Sequence, residues 1–286
     1  MVGAVTVGAP MREVLVVAGK EFRDGMRNRW ILAITVAFAL LAMGLAWFGA
    51  AASGEVGFTR ISTTIVSLAS LAVFLIPLIA LMLAYDSIVG EEEKGTLLLL
   101  MTYPLSRTGL LAGKFLGHGA ILALSTALGF GIAALMMIML AEQATFSNLV
   151  GPFGLFIASA ILLGWTFLAL AYLVSVVTRE KARAAGLALL VWFLFVLVYD
   201  LALLGLLVGT EGRLDGGVFR VLLLLNPTDV FRLVNLTGFE ETAASSGLLS
   251  VFGEDGYPLS LMLGILAAWT IVPLTAAAGL FAVRRS

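Results

Sequence analysis

Long apolar segments alternate with short charged ones along most of the chain. A helix needs about 20 apolar residues to cross roughly 30 Å of hydrocarbon. Six segments meet this length and are nearly free of charge: Trp30–Gly49, Ile65–Tyr85, Phe115–Leu140, Phe153–Val177, Ala185–Val208 and Leu259–Val283. The pattern therefore predicts an all-α integral membrane protein built as a bundle of six transmembrane helices.

Composition supports this prediction and excludes several functions. Of the 286 residues, 61% are hydrophobic and 12% are charged, whereas a soluble domain carries about 25% charged residues. The net charge of −1 gives no basic excess that would favour nucleic acid. The absence of cysteine excludes disulfides, thiolate metal sites and cysteine nucleophiles.

The basic residues predict the orientation of the chain. Of the 17 Lys and Arg residues, thirteen lie before the first span, in the second and fourth loops or after the last span, and four lie on the alternating side. By the positive-inside rule, both termini are expected in the cytoplasm. A cleaved signal peptide is the competing interpretation of the first span, because Ala50, Ala51 and Ala52 follow it. Its charged and apolar regions are longer than those of most signal peptides.

The six spans and their orientation together predict a cytoplasmic N-terminus at residues 1–29, a transmembrane domain at 30–283 and a cytoplasmic C-terminus at 284–286. Within Met11–Arg29, apolar side chains recur at helical spacing and form one stripe: Met11, Leu15, Ala18, Phe22 and Met26. Lys20, Arg23 and Arg27 share another face, which is suited to acidic headgroups. Such a helix anchors the chain at the membrane surface and is also suited to act as a lever that lies there.

The second loop, residues 86–114, contains predicted helix boundaries. Charges from Glu91 to Lys94 close the second span, and Gly95 is suited to a helix C-cap. Thr96 is a plausible N-cap for a short helix through Tyr103. Pro104 then ends this helix, and Ser106 is suited to cap the next one.

The short helix in this loop is almost wholly apolar. Residues Leu97–Met101 carry no charge, yet the topology places them on the cytoplasmic side. An apolar helix in that position needs a surface to cover it. It either folds back into the membrane interface or docks on another subunit.

The same loop carries a family resemblance. The pattern Glu91-Glu92-Glu93-Lys94-Gly95-Thr96-Leu97, followed by Pro104-Leu105-Ser106-Arg107 and Gly113-Lys114, resembles the signature loop of ABC-2-type permeases. These are the six-span membrane subunits of ATP-binding-cassette exporters. Lys20-Glu21-Phe22-Arg23 resembles the family's interfacial elbow helix.

The resemblance implies a bacterial inner-membrane location, a second copy of the chain and a cytoplasmic ABC ATPase dimer as partners. In the family, this loop contacts the ATPase. The implied coupling residues are Glu91, Glu92, Glu93, Gly95, Thr96, Leu97, Leu98, Pro104 and Arg107.

A second stretch resembles particular members of the family. Residues Leu222–Leu233 are similar to permeases of systems associated with maturation of the copper sites of nitrous oxide reductase. This similarity implies a periplasmic protein as a further partner. It also implies partner-binding or gating roles for Asn226, Pro227, Asp229, Phe231 and Arg232.

The extracytoplasmic segment 209–258, which contains this stretch, separates the last two spans. Its apolar patches Val218–Leu225 and Val230–Leu236 are too short to cross and suit re-entrant or interfacial helices. Thr228 or Asp229 is suited to cap the second patch. Residues Gly238–Pro258 hold four acidic and no basic side chains, as expected for a solvated loop or for a docking surface.

The chain offers few groups for catalysis. The run from Gly109 to Phe115 fails as a P-loop, because it has three residues between its glycines and Phe after Lys114. We therefore expect no enzyme activity and no cofactor in this chain, and ATP hydrolysis on another polypeptide. Gly113 and Gly117 favour close helix packing. His118, the only histidine, lacks the further ligands of a usual zinc site.

Two features within the spans suggest hypotheses. Met136 and Met139 share a helix face, and thioethers bind Cu(I), although methionine in an apolar helix is usually a packing residue. Asp200 is the one acid deep in a span, where an unpaired charge costs roughly 2.5–3.5 kcal/mol. It is expected to line a pathway or gate, or to hydrogen-bond to a neighbouring helix.

Together these features favour an ABC exporter-type permease. An ion-coupled secondary transporter that uses Asp200 as its proton site is the alternative. A single deep acid, without an evident inverted repeat or broken helix, argues against it. An intramembrane enzyme would need at least two catalytic groups within the spans, and the sequence has one acid without a paired base.

Overall fold

The computed structural model describes residues 9–27, 30–48, 61–103, 105–140, 146–211, 213–237 and 257–284. These residues form helices and turns, with no β-strand among them. The helices in chain order are α1 (Ala9–Arg27), α2 (Trp30–Phe48), α3 (Ile61–Ala84), α4 (Val89–Glu93), α5 (Thr96–Leu100), α6 (Arg107–Leu140), α7 (Phe146–Val177), α8 (Lys181–Phe193), α9 (Tyr199–Gly209), α10 (Gly216–Leu224), α11 (Pro227–Thr237) and α12 (Leu259–Val283). A π-helical turn, Leu194–Val198, joins α8 to α9 without a break.

The long helices form the predicted six-helix bundle. Five segments are long and apolar enough to cross a membrane: α3 continued by α4, α6, α7, α8–α9 and α12. Helix α2 has 19 residues, and it follows α1 across a bend of 65°. Each predicted span coincides with one of these helices. Helices α6 and α7 begin at Arg107 and Phe146, earlier than predicted, because the helix continues into the more polar residues before each apolar run.

Helix α7 lies at the centre of the bundle. It packs against α3, α6, α11 and α12, and it is the most deeply buried of the spans. In this core the Phe38 ring stacks on Phe130, with centroids 4.9 Å apart, and Phe130 meets Phe156 edge to face, with centroids 4.8 Å apart. The α8–α9 segment is the least buried of these five segments in the described part of the chain, so most of its apolar surface is left for lipid or another subunit.

Helix α1 lies along the first half of α6, where glycines allow close approach. A Cβ atom on Gly113 would lie 2.6 Å from the Val17 Cβ and 2.8 Å from the Val14 carbonyl oxygen. On Gly117 it would lie 2.6 Å from the Glu21 Cβ. Residues four apart share one helix face, so the two glycines form a continuous groove for α1. The predicted close packing at Gly113 and Gly117 is confirmed.

The two short helices between α9 and α12 are also present. Asp215 caps α10 by accepting from the Gly217 and Val218 amides at 2.9 and 3.1 Å. Asn226 caps α11, because its Oδ1 accepts from the Thr228 amide at 3.1 Å. The prediction that Thr228 or Asp229 caps this helix is therefore wrong. Pro227, which lacks an amide hydrogen, occupies the first helical position, where none is needed.

Some sequence predictions fall outside the described residues. They include Pro104, Arg285, the residues Ala50–Ala52 and nearly all of the acidic stretch, from 238 to 256. The two interpretations of that stretch stay predictions.

Candidate functional site

A helical hairpin lies at the end of the bundle that also carries α1, the α7–α8 turn and Arg284; we call this the proximal end. The hairpin consists of α4 and α5, joined by Lys94 and Gly95. Gly95 has φ of +70°, a left-handed conformation that glycine adopts without strain. Lys94 is the C-cap residue of α4 and Gly95 directly follows it, so Gly95 ends the helix in a left-handed conformation but lies one position beyond the predicted C-cap.

The start of α5 differs from the prediction. Gly95 is its N-cap residue, and Thr96 is the first helical residue. The Thr96 hydroxyl donates back to the Glu91 carbonyl oxygen at 3.1 Å and to the Glu91 carboxylate, which ties the two short helices together. Helix α5 ends at Leu100 and not at Tyr103. The predicted cap of the next helix is confirmed, because Ser106 Oγ accepts from the Gly109 amide at 3.0 Å.

The three consecutive glutamates of α4 reach three different parts of the bundle. Glu91 Oε1 lies 3.2 Å from Lys114 Nζ in α6. Glu92 Oε2 lies 2.5 Å from Arg284 Nη2, after the end of α12. Glu93 Oε1 accepts from the backbone amide of Lys181 at 2.6 Å, in the first turn of α8. The first amides of a helix lack partners within it and favour negative charge, so Glu93 caps α8 from outside.

Lys114 joins the hairpin to α1. Its side chain is only 5% exposed, and its Nζ lies 3.0 Å from Glu21 Oε1 in addition to its contact with Glu91. Burial opposes ionisation of Glu21, but the adjacent Lys114 charge and its hydrogen bond outweigh burial and hold the pKa of Glu21 below its ordinary value. We call this three-residue contact the Lys114 bridge.

His118 and Tyr172 extend this buried cluster towards α7. His118 Nδ1 lies 2.8 Å from Tyr172 Oη, and its Nε2 lies 3.7 Å from Glu21 Oε2. Ser175, on the next turn of α7, accepts from the amides of Ile88 and Val89 at 3.0 and 3.1 Å. The hairpin is therefore bonded to α7 as well.

Arg107 and Arg284 close the hairpin against α12. Arg284 donates to the carbonyl oxygens of Val176 and Thr178 at the end of α7. Arg107 donates to the Arg284 carbonyl oxygen, and its guanidinium carbon lies 5.6 Å from the centre of the Phe281 ring. The start of α6 and the end of α12 are thereby held together beside the hairpin.

The outer surface of the hairpin is apolar. Leu97 is buried, whereas Leu98, Leu99 and Tyr103 are 63%, 66% and 69% exposed. We call these three residues the hairpin surface. A groove of about 280 Å³ lies beside it, lined by Glu92, Gly95, Leu97, Leu98, Met101, Arg107 and Phe281. Five of the nine predicted coupling residues thus line this groove: Glu92, Gly95, Leu97, Leu98 and Arg107.

The predicted residues of the other half of the bundle also come together, around the π-helical turn. Asn226 Nδ2 and Thr228 Oγ1 both donate to the Phe195 carbonyl oxygen, at 3.0 and 3.2 Å. A π-helical turn disturbs the regular ladder of backbone hydrogen bonds. The Asn-Pro-Thr-Asp sequence supplies two donors at this point and so attaches α11 to the α8–α9 span.

Asp200 is paired with α11. Its Oδ2 lies 2.5 Å from Arg232 Nη1, which also lies 3.0 Å from Asp229 Oδ1. The other oxygen, Oδ1, is buried with no hydrogen-bond partner among the described atoms. Phe231 is fully buried against Phe156, with ring centroids 6.2 Å apart. We call Asn226, Asp229, Arg232 and Asp200 the distal cluster; its function stays a prediction.

The three methionines near the end of α6 differ in their exposure. Met136 is partly buried, Met137 is buried and Met139 is 74% exposed. Among the described residues, no group of three or more His, Asp or Glu side chains is placed to hold a metal ion. The copper hypothesis for Met136 and Met139 remains a prediction.

Comparison with known proteins now identifies the family. The model of the ABC-2 family transporter protein matches residues 15–284, which include the hairpin, the distal cluster and all the long helices. The chain belongs to the ABC-2 transporter family. This permease is 55% identical over 271 residues to the probable ABC transporter permease protein NosY of Stutzerimonas stutzeri. It is also 55% identical over 271 residues to the protein of the same name from Pseudomonas aeruginosa. Each alignment covers 95% of this chain and 98% of the relative.

Sequence reasoning missed several residues of the proximal site. The sequence shows Glu21, Lys114 and Arg284 only as charges near the ends of predicted spans, and not the contacts of Lys114 with Glu21 or of Arg284 with Glu92. A partial signal was present, because Lys114 lies between Gly113 and Gly117, which favour close packing on another helix. Nothing in the sequence identified its partner, which lies 93 residues earlier.

Proposed function

We propose that this permease receives force from a separate ATP-hydrolysing subunit through the α4–α5 hairpin, as one half of a homodimer. The hairpin surface of Leu98, Leu99 and Tyr103 is the observation that carries the proposal. Large apolar side chains at the end of a membrane bundle need a partner to cover them. On this proposal the ATPase binds there, and both chain termini lie on the same, cytoplasmic side.

The bonding of the hairpin supports a mechanical role. Glu91 connects it to α6 and α1, Glu92 to α12, and Glu93 to α8. The Ile88 and Val89 amides connect it to α7. A displacement of the hairpin is therefore delivered to several spans together, through short charged or backbone hydrogen bonds that stretch little before they break.

A displacement of the hairpin would reach the distal half of the bundle through α8–α9. The N-terminal end of this segment is capped by Glu93, and its π-helical turn is attached to α11 by Asn226 and Thr228. We propose that Asp200 and Arg232 hold α11 to this span and act as gating residues, so that α11 follows when the span moves.

The biological role is proposed from resemblance. The two relatives carry the name NosY, and the stretch around Asn226 is similar to permeases of systems that mature the copper sites of nitrous oxide reductase. We propose that this permease serves the same process with a periplasmic protein as its outer partner. The complex either moves a copper-related substrate or transmits a mechanical signal to that partner.

The ATPase contact is tested by co-purification from cells that express the permease together with a candidate ABC ATPase from the same organism. Leu98→Asp places a charge on the hairpin surface and is expected to abolish co-purification and ATPase stimulation. Thr108→Asp adds the same charge to an exposed position at the start of α6, outside the hairpin surface, and should retain both. Retention of the ATPase by Leu98→Asp, or equal loss in both variants, would contradict the proposed site.

The copper role is tested in a strain that lacks this permease. Nitrous oxide reductase purified from that strain should contain less copper than the enzyme from the complemented strain. The Leu98→Asp permease should fail to restore the copper content, whereas Thr108→Asp should restore it. A fully copper-loaded reductase in the deletion strain would refute the role in copper-site maturation and leave the ATPase contact standing.

A further inference from the structure

Helix α1 has three distinct faces. Val14, Val17 and Glu21 pack against α6. Of the five residues in the predicted stripe, Met11, Leu15 and Met26 point away from the bundle and are 72%, 61% and 50% exposed, whereas Ala18 and Phe22 are partly buried. Three exposed arginines lie on the next face around the helix: Arg12, Arg23 and Arg27.

This order of faces suits one particular environment. A helix that lies in the membrane interface buries an apolar stripe among the acyl chains, and flanking cations reach the headgroups. The bend of 65° between α1 and α2 turns α1 away from the direction of the span that follows it. An apolar stripe that is continuous in the chain with a membrane span, and bordered by arginines, fits a bilayer leaflet that contains acidic lipids.

The same helix is bonded to the hairpin. Glu21 lies on the face next to the apolar stripe and shares Lys114 with Glu91 of α4. Because Gly113 and Gly117 bring the two backbones together, α1 cannot shift on α6 without changing these contacts. A change in the position of α1 on the lipid surface therefore alters the contacts of Lys114.

We propose that α1 is a docking surface for anionic lipids, and that its lipid contact sets the position of the α4–α5 hairpin through the Lys114 bridge. Only the final consequence, that acidic lipids tune ATPase coupling, rests on the proposed function. The lipid contact and the hairpin response are properties of this chain and its membrane, and both are measured without an ATPase.

The absence of cysteine allows a single probe to be placed at will. Leu15→Cys carries an environment-sensitive fluorophore on the stripe. Val16→Cys places the same fluorophore one residue away, beside the arginines, at a position that is equally exposed in the chain. Both proteins are reconstituted in vesicles of phosphatidylcholine alone or of phosphatidylcholine with phosphatidylglycerol, and each vesicle contains a nitroxide-labelled lipid as quencher.

The proposal expects strong lipid quenching at position 15, weak quenching at position 16 and an increase at position 15 when phosphatidylglycerol is added. The variant R12Q/R23Q/R27Q should lose that increase. Quenching of position 15 by aqueous iodide and not by lipid, in both vesicles, would overturn the lipid contact. Protection of position 15 only after the ATPase is added would assign the stripe to that protein and would also overturn it.

The link to the hairpin is read with the fluorophore on Leu98→Cys. Its emission should shift when phosphatidylglycerol is added. The shift should disappear in the triple variant E21Q/E91Q/K114M, which removes the bridge without leaving a buried charge unpaired. Lipid quenching at position 15 should persist in this variant, which verifies that α1 is still folded on the membrane. Two results would refute the link. One is an emission at Leu98→Cys that does not change with phosphatidylglycerol while the Lys114 bridge is intact. The other is a shift that persists in the triple variant.

Discussion

The proximal and distal halves of the bundle hold their short helices by different means. At the proximal end, the α4–α5 hairpin is tied to several helices by charged side chains, and its apolar surface faces outward. In the distal half, α11 is buried. Its side chains bond to two elements that pack against it: Asn226 donates to the Phe195 carbonyl oxygen in the π-helical turn, and Asn235 donates to Ser159 Oγ in α7.

The difference separates two mechanical roles. Bonds that spread from one hairpin to several helices distribute a displacement among them. The side-chain bonds of α11 join one buried helix to the π-helical turn of α8–α9 and to Ser159 of α7, and they hold these elements in a fixed relation. On this view the hairpin receives the force from the ATPase, and α11 moves with the spans to which it is bonded.

The largest effect is expected from Lys114→Met, which breaks the proximal half. The substitution leaves Glu91 without its cation and leaves Glu21 with only the half-exposed Lys20, whose Nζ lies 3.1 Å from Glu21 Oε1, and removal of one partner of a buried ion pair costs about 3–5 kcal/mol. Thermal unfolding of the purified permease in detergent measures the loss. The triple variant E21Q/E91Q/K114M should recover most of the stability, because no charge is left unpaired. A single variant as stable as the original protein would show that the bridge contributes nothing.

The next effect is expected from Asn226→Ala in the distal half. It removes the cap of α11 and one donor to the Phe195 carbonyl, at a cost of about 2 kcal/mol. Thr228→Val is the comparison variant, because it removes the hydroxyl that donates to the Phe195 carbonyl and to Asn226 Oδ1 but keeps the Thr228 amide bond that defines the cap. Its loss should be smaller, and equal losses in the two variants would show that the cap is unimportant. The same unfolding assay applies.

A smaller effect is expected where α1 contacts α6. Gly113→Ala would place its Cβ within 3 Å of the Val17 side chain and the Val14 backbone, and such overpacking costs about 1–3 kcal/mol. Gly131→Ala in the same helix meets no atom within 4 Å, so it should be neutral or stabilise the helix by up to about 1 kcal/mol. Comparison of the two unfolding temperatures isolates the cost of contact with α1. An identical response of both sites would argue against close packing.

The smallest effect on stability is expected when the pH is lowered, because Lys114 still pairs with Glu91 after Glu21 is protonated. The pKa of Glu21 in the folded chain lies below its ordinary value of 4.5, so its stabilising contribution is complete above that value and is lost as the pH falls through the folded pKa. The difference in stability between the original protein and Glu21→Gln should therefore be constant near neutral pH and shrink below pH 4.5. A difference that grows in acid would reverse the assigned sign.

The architecture was accessible from the sequence because the membrane constrains it strongly. A span requires a long apolar run, and its backbone groups have no alternative to helical hydrogen bonds, so hydropathy located every long helix. Gly95 and Ser106 were also predictable, since one suits a left-handed conformation and the other is a preferred helix cap. These features depend on a few neighbouring residues.

The contacts that define the two candidate sites depend on distant residues. Nothing local connects Glu21 with Lys114, or Glu92 with Arg284, and a single sequence does not report which helices become neighbours. The π-helical turn Leu194–Val198 is entirely apolar and has no distinguishing sequence. Asn226 was recognised as a motif residue, but its role as a cap became visible only with the carbonyl to which its amide donates.

The glycine groove on α6 also sets an order of events during biosynthesis. Lys114 is synthesised 93 residues after Glu21. At about 5–20 residues per second, the ribosome takes roughly 5 to 20 s to produce the groove in which α1 finally lies. During that interval α1 has an exposed apolar stripe and no contact with α6. We therefore expect it to bind the membrane surface until α6 is made. Helix α1 is thus made well before α6 but reaches its final position only once α6 is present.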